Sequence, residues 1–272
     1  MDIHKPKPWR GVREFLKEYL IIVVGVLTAL AAEAVVENLH WRHEVSVARE
    51  AIAFDLREIV ARAASKDAES PCVGRRLGEI ADILDAAQVS HRLPPMGPVG
   101  GPDTPPWGLR SWSALNSGQT LAHISNREQL LLAGLAAYLA VLHEVTESER
   151  MEWAVLRTMT GPGRPTSDAE IASLRATLGR AETDAVFQKI GGRQVAALAA
   201  RSGFVTAREI DADFRAGLEK AKAAPLCQAP QSPAAHSAWN FREILARPPE
   251  RPTGAAANPL AVGNAGAITT EK

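Results

Sequence analysis

Tyr19 to Val36 reads YLIIVVGVLTALAAEAVV, and this stretch decides what the rest of the chain can be. Tyr19 to Ala32 carries no charge over about 14 residues, short of the about 20 that cross about 30 Å of hydrocarbon. Glu33 interrupts the run, and Ala34, Val35 and Val36 extend it to Glu37. At about 1.5 Å per helical residue, Tyr19 and Trp41 stand about 33 Å apart. Aromatic side chains at that separation match the two interfacial belts of a bilayer. Lys17 and Arg42 flank the run, so Lys17, Tyr19, Trp41 and Arg42 are the expected interface anchors. Gly25 and Glu33 are the candidates for a helix–helix contact. A lone acid within lipid is costly and marks either the interface or a partner, and both readings of Glu33 stay open.

The flanks give a direction. Lys5, Lys7, Arg10, Arg13 and Lys17 precede the run, while Arg42 and Arg49 follow it. The positive-inside bias places the N-terminus in the cytoplasm and the larger C-terminal part outside. Two other readings compete. One is a cleaved signal with small-residue sites at Ala29-Leu30-Ala31 or Ala32-Glu33-Ala34. The acids Glu14 and Glu18 in its basic region speak against it. The other is a buried core helix, which the charge asymmetry and aromatic spacing oppose.

The run FLKEYLIIVVGVLTALAAEAVVENLHWRHEV, with Glu18, Gly25, Ala29-Leu30 and Trp41, resembles the N-terminus of a broad group of bacterial single-pass membrane proteins whose role is not established. Ser111 to Leu139, SWSALNSGQTLAHISNREQLLLAGLAAYL, is similar to that group's middle segment. Together the two patches span roughly a fifth of the chain. The resemblance implies an inner-membrane anchor and a periplasmic domain, and it implies no activity.

Composition narrows the rest. Lys+Arg and Asp+Glu both number 31 in 272 residues, so no basic field suggests nucleic acid. Abundant Ala and few aromatics favour helices over a β-sandwich. The expected fold class is all-α: one transmembrane helix, a helical bundle and a disordered tail. The expected division is a cytoplasmic N-terminus over 1–18, a transmembrane helix over 19–39, a helical domain over 40–245 and a disordered tail over 246–272. Cys72 and Cys227 are the only cysteines. Outside the cytosol an even count favours pairing. Their bridge would close about 155 residues and contribute about 4–5 kcal/mol in the chain-entropy model.

Periodicity supplies the helices. Ile52, Leu56, Ile59, Val60 and Ala63 share one helical face. Ser70-Pro71 predicts a turn, followed by a second helix through Leu77, Ile80, Ile83, Leu84 and Ala87. PPMGPVGGPDTPP, Pro94 to Pro106 within a Pro/Gly-rich segment 94–107, predicts an extended, exposed connection, either functional or, the favoured reading, disordered. Trp112 and Leu115 predict a short helix ending near Gly118. Ser125 with Glu128, Ser167 with Glu170 and Thr206 with Glu209 read as capping boxes. The uncharged run Leu130 to Leu142 is too short to span a bilayer and predicts the central core helix, continuing to Leu156. Stops are predicted at Gly161–Pro165, Gly179, Gly191-Gly192, Gly203 and Pro225. Trp239, Phe241, Ile244 and Leu245 predict one docking turn. No strand is predicted.

Chemistry is weighed and set aside. His40, His43 and Glu44 lie one turn apart, yet no second cluster completes a metal shell. His143-Glu144 lacks the second His of a zinc-protease motif. There is no nucleophile elbow, and Asn116-Ser117-Gly118 reads as a turn. Gly161-Pro162-Gly163 lacks the Lys and the amides of a phosphate loop. Gly191-Gly192-Arg193 reads as a helix break. Acidic residues read as scattered on helix exteriors, with no carboxylates paired in an apolar setting. No cofactor is expected. The remaining function classes are a non-catalytic interaction or self-association module, an enzyme whose site is assembled from dispersed residues, and a ligand-sensing bundle with a separate output partner. The expected partners are the lipid bilayer and either a second copy or another membrane protein.

Overall fold

The computed structural model describes residues 11–228 and 241–249. Lys5, Lys7, Arg10, Trp239 and the tail from residue 250 lie outside the described residues. The chain divides into two compact units, Met1–Ala48 and Arg49–Lys272. In order, the elements are α1 (Val12–Ser90), β1 (Arg92–Leu93), α2 (Arg110–Ser117), α3 (Asn126–Leu156), β2 (Arg164–Pro165), α4 (Asp168–Arg201), α5 (Ala207–Lys222), α6 (Pro225–Gln228) and α7 (Phe241–Ala246). The all-α expectation holds, apart from the two-residue strands.

The first unit holds only the opening half of α1. Its apolar side chains are bare: Tyr19, Leu20, Ile21, Ile22, Leu27 and Leu30 are all more than half exposed. Length and composition suit this segment to crossing a membrane or to a signal sequence. Within the apolar run, Thr28 Oγ1 donates to the Val24 carbonyl at 2.7 Å, so that hydroxyl is satisfied without water.

In the second unit the predicted face of α1 is the core. Ile52, Leu56, Ile59, Val60, Ala63, Leu77, Ile80 and Leu84 are buried. The predicted turn at Ser70-Pro71 is absent, because α1 runs straight through Pro71. Proline removes the amide that would bond the carbonyl four residues back. Ser70 Oγ donates to that Asp67 carbonyl at 2.7 Å instead, so the ladder closes by side chain.

α3 is the central helix the sequence suggests. Ser125 and Glu128 form both halves of the capping box. Leu132, Leu135, Leu139 and Leu142 are buried along one face, while Leu130, Gly134 and Val141 are exposed on the other. α4 corrects two expectations, since it passes through both Gly179 and Gly191-Gly192 without a break. A helical glycine costs about 1 kcal/mol, and tertiary packing outweighs that. A Cβ on Gly191 would lie 2.5 Å from Leu142 Cδ2, so glycine lets α4 rest on α3 without displacing that side chain. Ser167 caps α4, but Glu170 turns away to Arg164 and Thr166, so the second capping box is only half formed. Thr206 and Glu209 complete the third. α5 crosses α1 so closely that a Cβ on Gly217 would lie 2.0 Å from the Ala61 carbonyl.

The Pro/Gly-rich connection is not the disordered loop its composition predicts. β1 and β2 pair antiparallel, Arg92 opposite Pro165 and Leu93 opposite Arg164. Met96 and Gly161 exchange both backbone bonds at 2.9 and 3.0 Å. Arg76 donates to the Val99 and Pro98 carbonyls, and Arg157 to that of Gly100. Val99 and Trp107 are buried. A segment poor in intrinsic structure is ordered here by borrowed donors.

The close crossing generates a contrast. Gly217→Ala is expected to destabilise the second unit by about 1–3 kcal/mol through overpacking. Gly134→Ala meets nothing within 4 Å and is expected to be neutral or to stabilise by up to about 1 kcal/mol. Urea unfolding of both variants measures it; shifts of the same sign would contradict the crossing.

Candidate functional site

α1, α3 and α4 each turn polar side chains inward. On α1 these are Lys66, Asp67, Glu69 and Ser70, on α3 Thr146, Glu149 and Glu152, and on α4 Thr177, Gln188 and Lys189, all buried. Thr146, Glu149 and Glu152 fall at three-residue spacing, one face of α3. Buried polar groups are tolerated only when bonded, so the bonding of this seam decides its role.

Gln188 is saturated. Its Oε1 accepts from Trp107 Nε1 at 2.8 Å, and its Nε2 donates to the Leu142 carbonyl and to Thr146 Oγ1. Lys66 Nζ donates to Glu149 Oε2 at 3.2 Å, with both side chains buried. Asp67 accepts a two-pronged contact from Arg193 at 2.7 and 3.0 Å and lies 3.3 Å from Lys189 Nζ. Lys189 also donates to Ser70 Oγ and to the carbonyls of Leu245 and Arg247. Arg193 reaches the Pro248 carbonyl at 2.6 Å. These carbonyls close α7 and the residues after it, so two cations sit at a helix C-terminus, where the dipole favours them. Leu245, buried, packs over Gly74 of α1. The predicted docking turn is therefore present at Ile244 and Leu245.

The acids outnumber the bases. Asp67, Glu69, Glu149, Glu152 and Asp184 face Lys66, Arg180, Lys189 and Arg193, five carboxylates to four cations. Burial, and then the Asp184 carboxylate beside it, push Glu152 up to about 7. Burial also raises Glu69 and Glu149, against the pull of Lys66. Glu152 Oε1 meets Arg180 at 3.3 Å and Ser148 at 3.4 Å. Glu152 Oε2 and Asp184 Oδ2 are buried with no donor. A proton held by the Glu152–Asp184 pair supplies the missing donor and relieves the repulsion. This pairing corrects the expectation that acids lie only on helix exteriors. Single residues in sequence do not reveal it, because the partners come from α3 and α4.

The predicted disulfide forms. Cys72 and Cys227 are bonded, with Cα atoms 5.1 Å apart. Beside it opens a cleft of about 520 Å³. α1 contributes Cys72, Arg75, Arg76 and Glu79, the Gly97–Gly101 segment forms a second wall, and Pro225 and Leu226 form a third. The buried carboxylates do not line it.

The remaining candidates fall into place singly. Lys17, Tyr19, Gly25, Glu33 and Arg42 are exposed along α1 and Trp41 is half-buried. Trp41 Nε1 reaches Glu37 at 3.4 Å. Among the described residues no three His, Cys, Asp or Glu side chains are grouped to hold a metal. Ser117 Oγ donates to the Ala114 carbonyl at 3.0 Å, and Gly118 caps α2 as expected. Gly191-Gly192-Arg193 is neither a turn nor a break; it lies inside α4 and supplies Arg193 to Asp67. Set beside known proteins, the chain matches no protein-family model, no curated protein and no solved structure.

The Glu152 shift sets a pH dependence. Its folded value lies above the ordinary carboxylate value of 4.5, so the folded state binds more protons between those limits. Stability from this group is therefore present at acid pH and falls as pH rises from about 4.5 to about 7. Glu152→Gln keeps the shape without the charge. Its expected gain over the parent is on the order of 2–3 kcal/mol at pH 8 and near zero at pH 4.5. Denaturant midpoints at the two pH values measure it; an equal effect at both would contradict the shared proton.

Proposed function

We propose that this chain is an inner-membrane envelope protein of the bacterial group its anchor resembles. Its N-terminus is cytoplasmic and its second unit periplasmic. It acts by binding a membrane partner or a second copy of itself, not by catalysis. The observation that carries the reading is how the second unit spends its polar groups. Lys189 and Arg193 go to Asp67 and to the chain's own carbonyls, and Gln188 to Trp107, Leu142 and Thr146. A catalytic constellation instead aims perturbed groups into a concave opening. Glu152 is a perturbed acid, but the cleft beside the disulfide is not lined by it.

Three features support the placement. The first is the bare apolar half of α1. The second is the Cys72–Cys227 bond, which suits an oxidising compartment. The third is the excess of Lys and Arg before the apolar run. The contact is assigned to the helix face bearing Gly25 and Glu33. Nothing lies within 4 Å of a Cβ on Gly25, and small residues let membrane helices approach closely.

Chemical cross-linking in native membranes and size analysis in mild detergent test the reading. A homo-oligomer or one co-purifying membrane protein is expected, weakened by Gly25→Leu and by Glu33→Leu. A strict monomer with no co-purifying protein would overturn it.

A further inference from the structure

Arg75 and Arg76 are adjacent on α1 and both line the cleft beside the disulfide, but their situations differ. Arg76 is committed: Nε to the Val99 carbonyl at 2.8 Å, Nη2 to that of Pro98 at 3.0 Å and Nη1 to Glu79 at 2.6 Å. Arg75 is half-buried, and no described residue gives it an ion pair or a hydrogen bond. Counting Arg75, Arg76 and Glu79, the lining carries one net positive charge. The facing wall leaves the amides of Gly97, Gly100 and Gly101 without an acceptor among the described residues, whereas Val99 N is bonded to Thr160. The remaining lining is apolar: Pro98, Val99, Pro225, Leu226 and the disulfide. The Pro225–Leu226 wall is fixed by the bond from its neighbour Cys227 to Cys72.

We propose that this cleft binds a small organic monocarboxylate with an apolar body, its carboxylate held by Arg75 and its body against Pro225 and Leu226. A guanidinium presents a planar fork that matches a carboxylate. About 520 Å³ falls within the range of small-molecule sites. One uncommitted cation and a mostly apolar lining suit a monoanion with a greasy body better than phosphate. The site stands apart from the anchor contact, so either can fail without the other.

The test is calorimetric titration of the full chain in nanodiscs with phenylacetate, an acetate-to-hexanoate series, uncharged phenylacetamide and inorganic phosphate. Saturable binding of phenylacetate is expected, with phenylacetamide and phosphate weaker by roughly tenfold or more. Arg75→Gln is expected to abolish the preference for acid over amide, and Arg75→Lys, which keeps charge without the fork, to retain part of it. The unfolding midpoint of Arg75→Gln is expected to match the parent, because Arg75 has no ion pair or hydrogen bond to lose among the described residues. No saturable binding by any of the acids, phosphate binding as tightly as phenylacetate, or an acid preference that survives Arg75→Gln would each overturn the proposal.

Discussion

A helix surface that its own unit leaves bare suits a membrane crossing or a signal sequence, since apolar side chains favour a solvent other than water. That constraint governs the first unit. From Tyr19 to Val36 most side chains are aliphatic and exposed, and each square ångström left in water forgoes about 25 cal/mol of transfer free energy. Backbone polarity is no obstacle to lipid, since a helix satisfies its own amides and carbonyls. Thr28 follows the same rule by bonding the Val24 carbonyl. Glu33 is the exception, and a carboxylate in that setting asks for an interface or a partner.

The second unit answers a different constraint. Its three long helices enclose charges that water can no longer solvate. A buried pair broken on one side costs about 3–5 kcal/mol, so each member holds its partner's element in place. Asp67 ties α4 to α1 through Lys189 and Arg193, and the same cations grip the carbonyls that end α7. Within α1, the disulfide at Cys72 and the α7 contacts at Ser70 and Gly74 fall within one helical turn. That short stretch receives the chain from both α6 and α7.

Much of this was legible in the residues, and what was not has a common cause. The caps at Ser125 and Thr206, the core face from Ile52 to Ala63, the central helix at Leu130 to Leu142 and the pairing of Cys72 with Cys227 depend on local spacing or parity. The errors arose where proline and glycine read as punctuation. Pro71 lies inside α1 where Ser70 supplies the missing bond, and Gly191 lies inside α4 where it packs closely on Leu142. The Pro94 to Pro106 segment is ordered because Arg76 and Arg157 donate to it across long sequence separations. The Glu152–Asp184 pair was invisible for the same reason: its members belong to different helices. Propensity is a preference of about 1 kcal/mol per residue, and tertiary contacts exceed it.

The location of the second unit bears on all of this, and thiol chemistry in living cells reads it most directly. Intact cells are treated with a bulky maleimide before and after a reductant that does not cross the inner membrane, and mobility is followed on a denaturing gel. If Cys72 and Cys227 are bonded outside the cytosol, neither labels at first and both label after reduction, while the chain stays in the membrane pellet through alkaline extraction. Two thiols that stay unlabelled in intact cells but react at once after lysis without reductant, in a protein recovered from the soluble fraction, would contradict an anchored, extracytoplasmic domain.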